Sequence, residues 1–93
     1  MNLIILWNGI IRSKWDYKKL YWSLSSAAFD HNLMLKLSSY GRGLRYAGTE
    51  IKRDFFYLRL EVKCTDPKDF KKFVEHLRSK GLQVFKEEGG DKN

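Results

Sequence analysis

Cysteine is nearly absent from this chain. Cys64 stands alone, which excludes an internal disulfide and leaves too few thiolates for a metal cluster. No basic group that would activate it is readable nearby, so it reads as a small buried side chain at a strand end. Histidine occurs twice, as His31 and His76. With one cysteine they give no metal-ligand spacing, and no metal or other cofactor is expected. No paired carboxylates and no nucleophile–base arrangement stand out, so the chain is expected to act by binding and not as an enzyme. Asp16, Asp54, Glu61 and Asp66 would do chemistry only if the fold gathered them, as in a small metal-dependent nuclease. No apolar run approaches the roughly 20 residues that span a bilayer. The start, Leu3–Trp7, lacks the basic leader and small-residue cleavage site of a signal peptide. The expected location is cytoplasmic, or the host cytoplasm if the chain is viral, with no membrane partner.

The chain has what a small folded domain needs. In its 93 residues, 43% are hydrophobic and 15% aromatic, which is the composition of a globule and not of a disordered chain. Lys and Arg number 18 against 11 acids, for a net charge of +7. That sign favours polyanions or acidic protein surfaces as partners, although charge of this size also serves solubility alone.

Periodicity gives an order of elements. Residues 2–8 are apolar almost throughout and read as a strand, closed by Asn8-Gly9. Ser13 and Asp16 have the spacing of a capping box. They open a helix to Asp30, whose core face is Tyr17, Leu20, Tyr21, Leu24 and Ala28. His31-Asn32 ends it. Leu33, Leu35 and Leu37 alternate with Met34, Lys36 and Ser38 as a second strand. Tyr40–Arg53 is a glycine- and arginine-rich loop or ragged hairpin arm. Residues 54–63 alternate as a third strand. Asp66 caps a second helix, with Pro67 in its first turn, Asp69 as the capping-box carboxylate, and Phe70, Phe73, Val74 and Leu77 as its buried stripe. Gly81 stops it, and Leu82–Lys86 forms a fourth strand. The order is β-α-β-β-α-β. It predicts one α+β, ferredoxin-like domain over residues 1–87, a four-stranded antiparallel sheet with two helices on one face, followed by a flexible polar tail, 88–93.

The third strand carries the functional signal. Phe56, Leu58, Leu60 and Val62 form its core row. Phe55, Tyr57, Arg59 and Glu61 point to the open face, where rings beside a guanidinium suit single-stranded nucleic acid: bases stack and phosphates are neutralised. Ile5 and Trp7 could join them from the first strand, whose all-apolar run leaves its phase open; Met34 and Lys36 extend the face from the second strand, Gln83 and Phe85 from the fourth. This third strand resembles the RNA-recognition motif, whose signature there is basic-Gly-aromatic-small-aromatic-aliphatic-x-aromatic. In the matching register, Arg53, Phe55, Tyr57 and Leu58 fit. Asp54 replaces the glycine, Phe56 the small residue and Leu60 the last aromatic. The family's first-strand motif falls on Ile4–Gly9, where Asn8 fits, Ile5 stands at an aromatic position, and Trp7 could supply the ring.

The resemblance implies RNA or single-stranded DNA as partner, with the loop between the second and third strands clamping it. Tyr40–Arg53 holds four cations and one acid. Its glycines admit close approach, its arginines fork onto phosphate, and its tyrosines stack. A merely solvated hairpin is the competing reading. The candidate nucleic-acid residues are Phe55, Tyr57, Arg59, Trp7, Lys36, Arg42, Arg45, Tyr46, Lys52 and Arg53. Trp15, Trp22 and Phe29 recur every seven residues away from the core face of the first helix. Phe29 is assigned to the core. Trp15 and Trp22 either pack inward or form a protein-docking ridge. The alternative function is therefore a small protein-binding inhibitor or adaptor, for example a viral or phage factor, using the open sheet and this ridge, with a homodimer among its partners.

Overall fold

The computed structural model describes residues 1–46 and 49–87; the expected tail, 88–93, lies outside them, as does the side chain of Tyr46. The elements are β1 (Asn2–Trp7), α1 (Lys14–Asp30), β2 (Met34–Tyr46), β3 (Thr49–Lys63), α2 (Pro67–Ser79) and β4 (Gln83–Glu87). The sheet order is β2-β3-β1-β4, with every pairing antiparallel. This is the ferredoxin-like arrangement.

Local chemistry sets the helix boundaries. Ser13 Oγ accepts from the Trp15 N–H at 3.2 Å, and Asp16 Oδ2 accepts from the N–H groups of Ser13 and Arg12 at 3.1 and 2.8 Å. The capping box is complete, and its carboxylate satisfies one more orphan donor than the motif requires. Asp66 caps α2 by accepting from the Lys68 N–H at 2.9 Å. Asp69 does not make the expected return bond. It contributes only negative charge in the first turn.

Both helices end in the same way. Asn32, with φ of 64°, and Gly81, with φ of 89°, take the left-handed conformation. The following N–H groups of Leu33 and Leu82 then reach back to the carbonyls of Ala28 and Leu77 at 2.9 and 3.2 Å. These are Schellman ends, each sealed by a leucine.

One core lies between the helices and one sheet face. Leu3 and Ile5 of β1, Leu58, Leu60 and Val62 of β3, Leu35 of β2 and Val84 of β4 meet Tyr17, Leu24 and Ala28 of α1 and Phe70, Phe73, Val74 and Leu77 of α2. Leu20, Tyr21, Leu37, Phe56 and Cys64 pack half-buried around it. Tyr21 donates to the Leu35 carbonyl at 2.8 Å and ties α1 to β2. Among the described residues no helix is long and apolar enough to cross a membrane.

Three sequence expectations need correction. Ile5 faces the core, opposite Leu58 and Val84, so β1 has the reverse phase; Ile4 and Leu6 face the open side. Trp7 shares the parity of Ile5 and pairs with Phe56, which puts it in the helix-side row and not in the row of Phe55 and Tyr57, although Trp7 and Phe55 both border a hollow at that end of the sheet. Phe29 is not in the core but is 77% exposed.

Candidate nucleic-acid interface

The open face is built row by row from the register. β3 contributes Phe55, Tyr57, Arg59 and Glu61. Opposite them stand Ile4 and Leu6 of β1, Gln83 and Phe85 of β4 beyond, and Lys36, Ser39 and Gly41 of β2 on the other side. No helix covers this face, yet Ile4 is fully buried and Leu6 is 5% exposed. Their cover comes from neighbouring side chains: Arg59 and Phe85 flank Ile4, and Tyr57 and Gln83 flank Leu6. Arg59 Nη2 meets Glu87 Oε2 at 3.2 Å. Because Glu87 lies opposite Asn2 and Arg59 opposite Ile4, the ion pair spans β1 like a strap. Arg59 Nε is buried without a partner. The sequence reading gave Arg59 a phosphate; the fold gives it a carboxylate and a share in covering the sheet.

Phe55 and Tyr57 are half-buried on this face. Tyr57 leans over β2 at Gly41, where a Cβ would stand 3.2 Å from the ring. Glycine suits the close approach of the ring, which any Cβ would press back by a few tenths of an ångström, and not its own dihedral freedom. Lys36 is exposed and pairs in register with Glu61, so its charge is locally balanced.

Two irregularities in β2 rearrange the basic segment. The first, between Leu37 and Ser39, reverses the facing of the strand. Tyr40 and Arg42 therefore turn to the helix side. Tyr40 packs on Tyr17 with ring centroids 4.5 Å apart, and the Arg42 guanidinium lies 5.0 Å over the Phe56 ring. Tyr17 also approaches Phe56 and donates to the Gly41 carbonyl at 3.3 Å. Burial raises the Tyr17 phenol above its usual range, with the Arg42 charge opposing.

The second irregularity lies between Arg42 and Leu44, at Gly43, whose φ of 77° suits glycine. Beyond it β2 and β3 continue as a two-stranded arm past the last β1 pairing, Trp7 with Phe56. The expected loop is thus a hairpin. At the base of the arm Arg42, Gly43, Leu44, Arg45, Glu50 and Arg53 line an open hollow of about 350 Å³. Three arginines and one glutamate border it; Arg45 stands opposite Glu50 in register and the Arg42 guanidinium lies over Phe56, and among the described residues none of the three arginines makes an ion pair. Lys52, exposed on the same arm, adds a fourth cation.

Trp7 borders a different hollow, of about 290 Å³, with Ile10, Ile11, Asp16, Lys19 and Leu20. Its indole lies against Gly9, where any Cβ would overlap it. Trp15 and Trp22 are exposed on α1, with the Lys18 ammonium 5.1 Å over the Trp15 ring.

The fold also brings His31 and His76 to a ring separation of 5.0 Å, with His31 against Phe73. They are far apart in sequence, and only the docking of the C-terminal end of α1 beside α2 pairs them. Among the described residues no three metal-ligating side chains gather. A scan against models of protein families finds no match to this chain, and a search of curated proteins finds none either.

Proposed function

We propose that the chain is a nucleic-acid-binding module that grips a single strand at the base of the β2–β3 arm. The observation that carries this reading is that Arg42, Arg45 and Arg53 border one open hollow and, among the described residues, make no ion pair. Unpaired guanidiniums on an accessible concavity are poised for phosphate, where each contact releases a counterion. Phe55 and Tyr57 follow Arg53 at alternate positions of β3 and supply ring faces for bases on the open side, while the Arg42 guanidinium lies on the helix side over Phe56. Lys52 widens the basic track, and Lys36 lies at its far side. The partial resemblance to the RNA-recognition motif supports the same assignment through Arg53, Phe55 and Tyr57. In this reading the protein works by binding without catalysis, needs no cofactor and acts in the cytoplasm.

The test is a titration of fluorescent single-stranded RNA and DNA at several salt concentrations. Wild type should lose affinity steeply with salt, by about 0.7 log unit per log unit of salt for each phosphate contacted. Replacing Arg42, Arg45 and Arg53 together with Ala should flatten that slope by roughly two units and weaken all sequences alike. An unchanged slope would sink the assignment.

A further inference from the structure

The outer face of α1 carries Trp15, Trp22 and Phe29, which are 57, 58 and 77% exposed, while Tyr17, Leu24 and Ala28 hold the helix to the core. Spaced by seven, the three rings form a stripe almost parallel to the helix axis and about 21 Å long. They leave on the order of 400 Å² of aromatic surface in water per copy, as much as the largest apolar patch of an ordinary monomer.

The pattern of the stripe selects its occupant. It is symmetric about Trp22. An antiparallel second α1 would set Trp22 on Trp22 at the two-fold axis and Trp15 on Phe29 of the second copy. Across the two-fold the same register puts Asp30 on the flank that carries Lys19, and the lysine stems of Lys18 and Lys19 beside the small Ser25 and Ser26. The charges follow the same logic. Lys14, Lys18 and Lys19 outnumber Asp16 in the N-terminal half, the last turn has no basic residue, and Asp30 closes the helix. This order opposes the helix's own macrodipole. An antiparallel copy corrects it, bringing Asp30 to the cationic end and cancelling the two dipoles. An anionic bilayer would instead need cations along the whole stripe, and the half around Phe29 offers only serines and an acid.

We propose that α1 is a self-association surface and that two copies pair antiparallel through Trp15, Trp22 and Phe29. The proposal stands apart from the nucleic-acid reading. The sheet face and the arm are left uncovered, so the pair would carry two outward binding faces. Two such stripes bury roughly 800 Å² before their flanking side chains are counted, near the ~1,000 Å² lower bound for a specific interface, so a weak dimer is expected. Two copies of net charge +7 repel, so added salt tightens the pair, the reverse of its effect on a phosphate contact.

The experiment is sedimentation equilibrium of nucleic-acid-free protein from about 5 µM to about 1 mM, a range that brackets micromolar constants, at low and high salt. Wild type is expected to pass from monomer to dimer. Trp22→Glu, which places two carboxylates at the two-fold axis, should stay monomeric with an unchanged melting curve, because that side chain supports no core. Lys19→Glu and Asp30→Lys should each weaken the dimer about two- to fivefold, and the two together in one chain should restore it. Wild type that is monomeric throughout overturns the proposal. So does a dimer indifferent to Trp22→Glu, and a combined charge swap that is weaker than either single change overturns the antiparallel register.

Discussion

The guanidinium of Arg59 and the carboxylate of Glu87 meet at 3.2 Å over β1, which separates their two strands. Beneath them Ile4 is fully buried on a face that no helix covers. A sheet that exposes its centre to water must shield it somehow, and here long side chains from the flanking strands do so. The pair also removes one cation from the set available to phosphate.

Arg59→Ala is therefore expected to cost stability rather than binding. Losing the stem over Ile4 and the ion pair should amount to about 1–2 kcal/mol. Oligonucleotide affinity should fall no more than about threefold, the effect of one distant charge. Urea denaturation and fluorescence titration of the same variant check both halves. A loss of affinity as large as that from the arm arginines, with stability intact, would return Arg59 to the binding site.

Asn32 offers a test of the helix ends. Its φ of 64° is favourable for glycine, tolerated by asparagine and strained for branched residues. Asn32→Gly should be neutral or slightly stabilising. Asn32→Val should lower stability by about 1–2 kcal/mol, because it must either adopt the left-handed conformation or break the Leu33 to Ala28 bond. Equal melting temperatures for the two variants would mean that α1 does not end in this motif.

The fold was readable because several local signals agreed. Ser13, Asp16, Asp66, Pro67 and Gly81 mark helix boundaries through chemistry that acts within a few residues. β3 alternates cleanly enough to fix its own facing. The site was less readable, for three physical reasons. β1 is apolar on both faces, so nothing in Leu3–Leu6 reveals which row meets the helices; that misplaced Ile5 and Trp7. A single extra residue near Ser38 reverses the facing of Ser39–Arg42, and no residue type there announces a bulge. Arg59 and Glu87 are joined only through a third strand, a relationship that spacing along the chain does not carry. Large aromatics are usually buried, which points Phe29 inward, and α1 departs from that tendency along one whole face.

The capping box at α1 predicts a particular acid response. The Arg12 N–H, foremost, and the Ser13 N–H hold the Asp16 carboxyl below its usual value of 3.8, against a smaller desolvation effect. A carboxylate whose folded pKa is depressed adds stability that is complete above the unfolded value and is lost as pH falls through the folded one. The stability difference between wild type and Asp16→Ala should thus be constant from neutral pH down to about pH 5 and shrink below about pH 4. Denaturant melts across that range decide it. A difference that persists unchanged in acid would show that Asp16 acts through packing and not through its charge.

Tyr57 separates stacking from shielding. Its ring flanks Leu6, which is 5% exposed, and leans over Gly41. Truncation to Ala would therefore uncover Leu6 and confuse a stability loss with a binding loss. Tyr57→Leu avoids this: it keeps apolar cover over Leu6 but offers no π face. If the ring stacks on a base, Tyr57→Leu should lose about 1–3 kcal/mol of single-strand affinity with the melting temperature nearly unchanged, and Tyr57→Phe should bind like wild type. The salt slope should stay the same in both, since no phosphate contact is removed. That combination, weaker binding at constant slope, is the signature of a lost stack and differs from the flattened slope expected of the arm arginines. Full affinity in Tyr57→Leu would make the ring a cover for the sheet and confine the nucleic-acid contact to the arm.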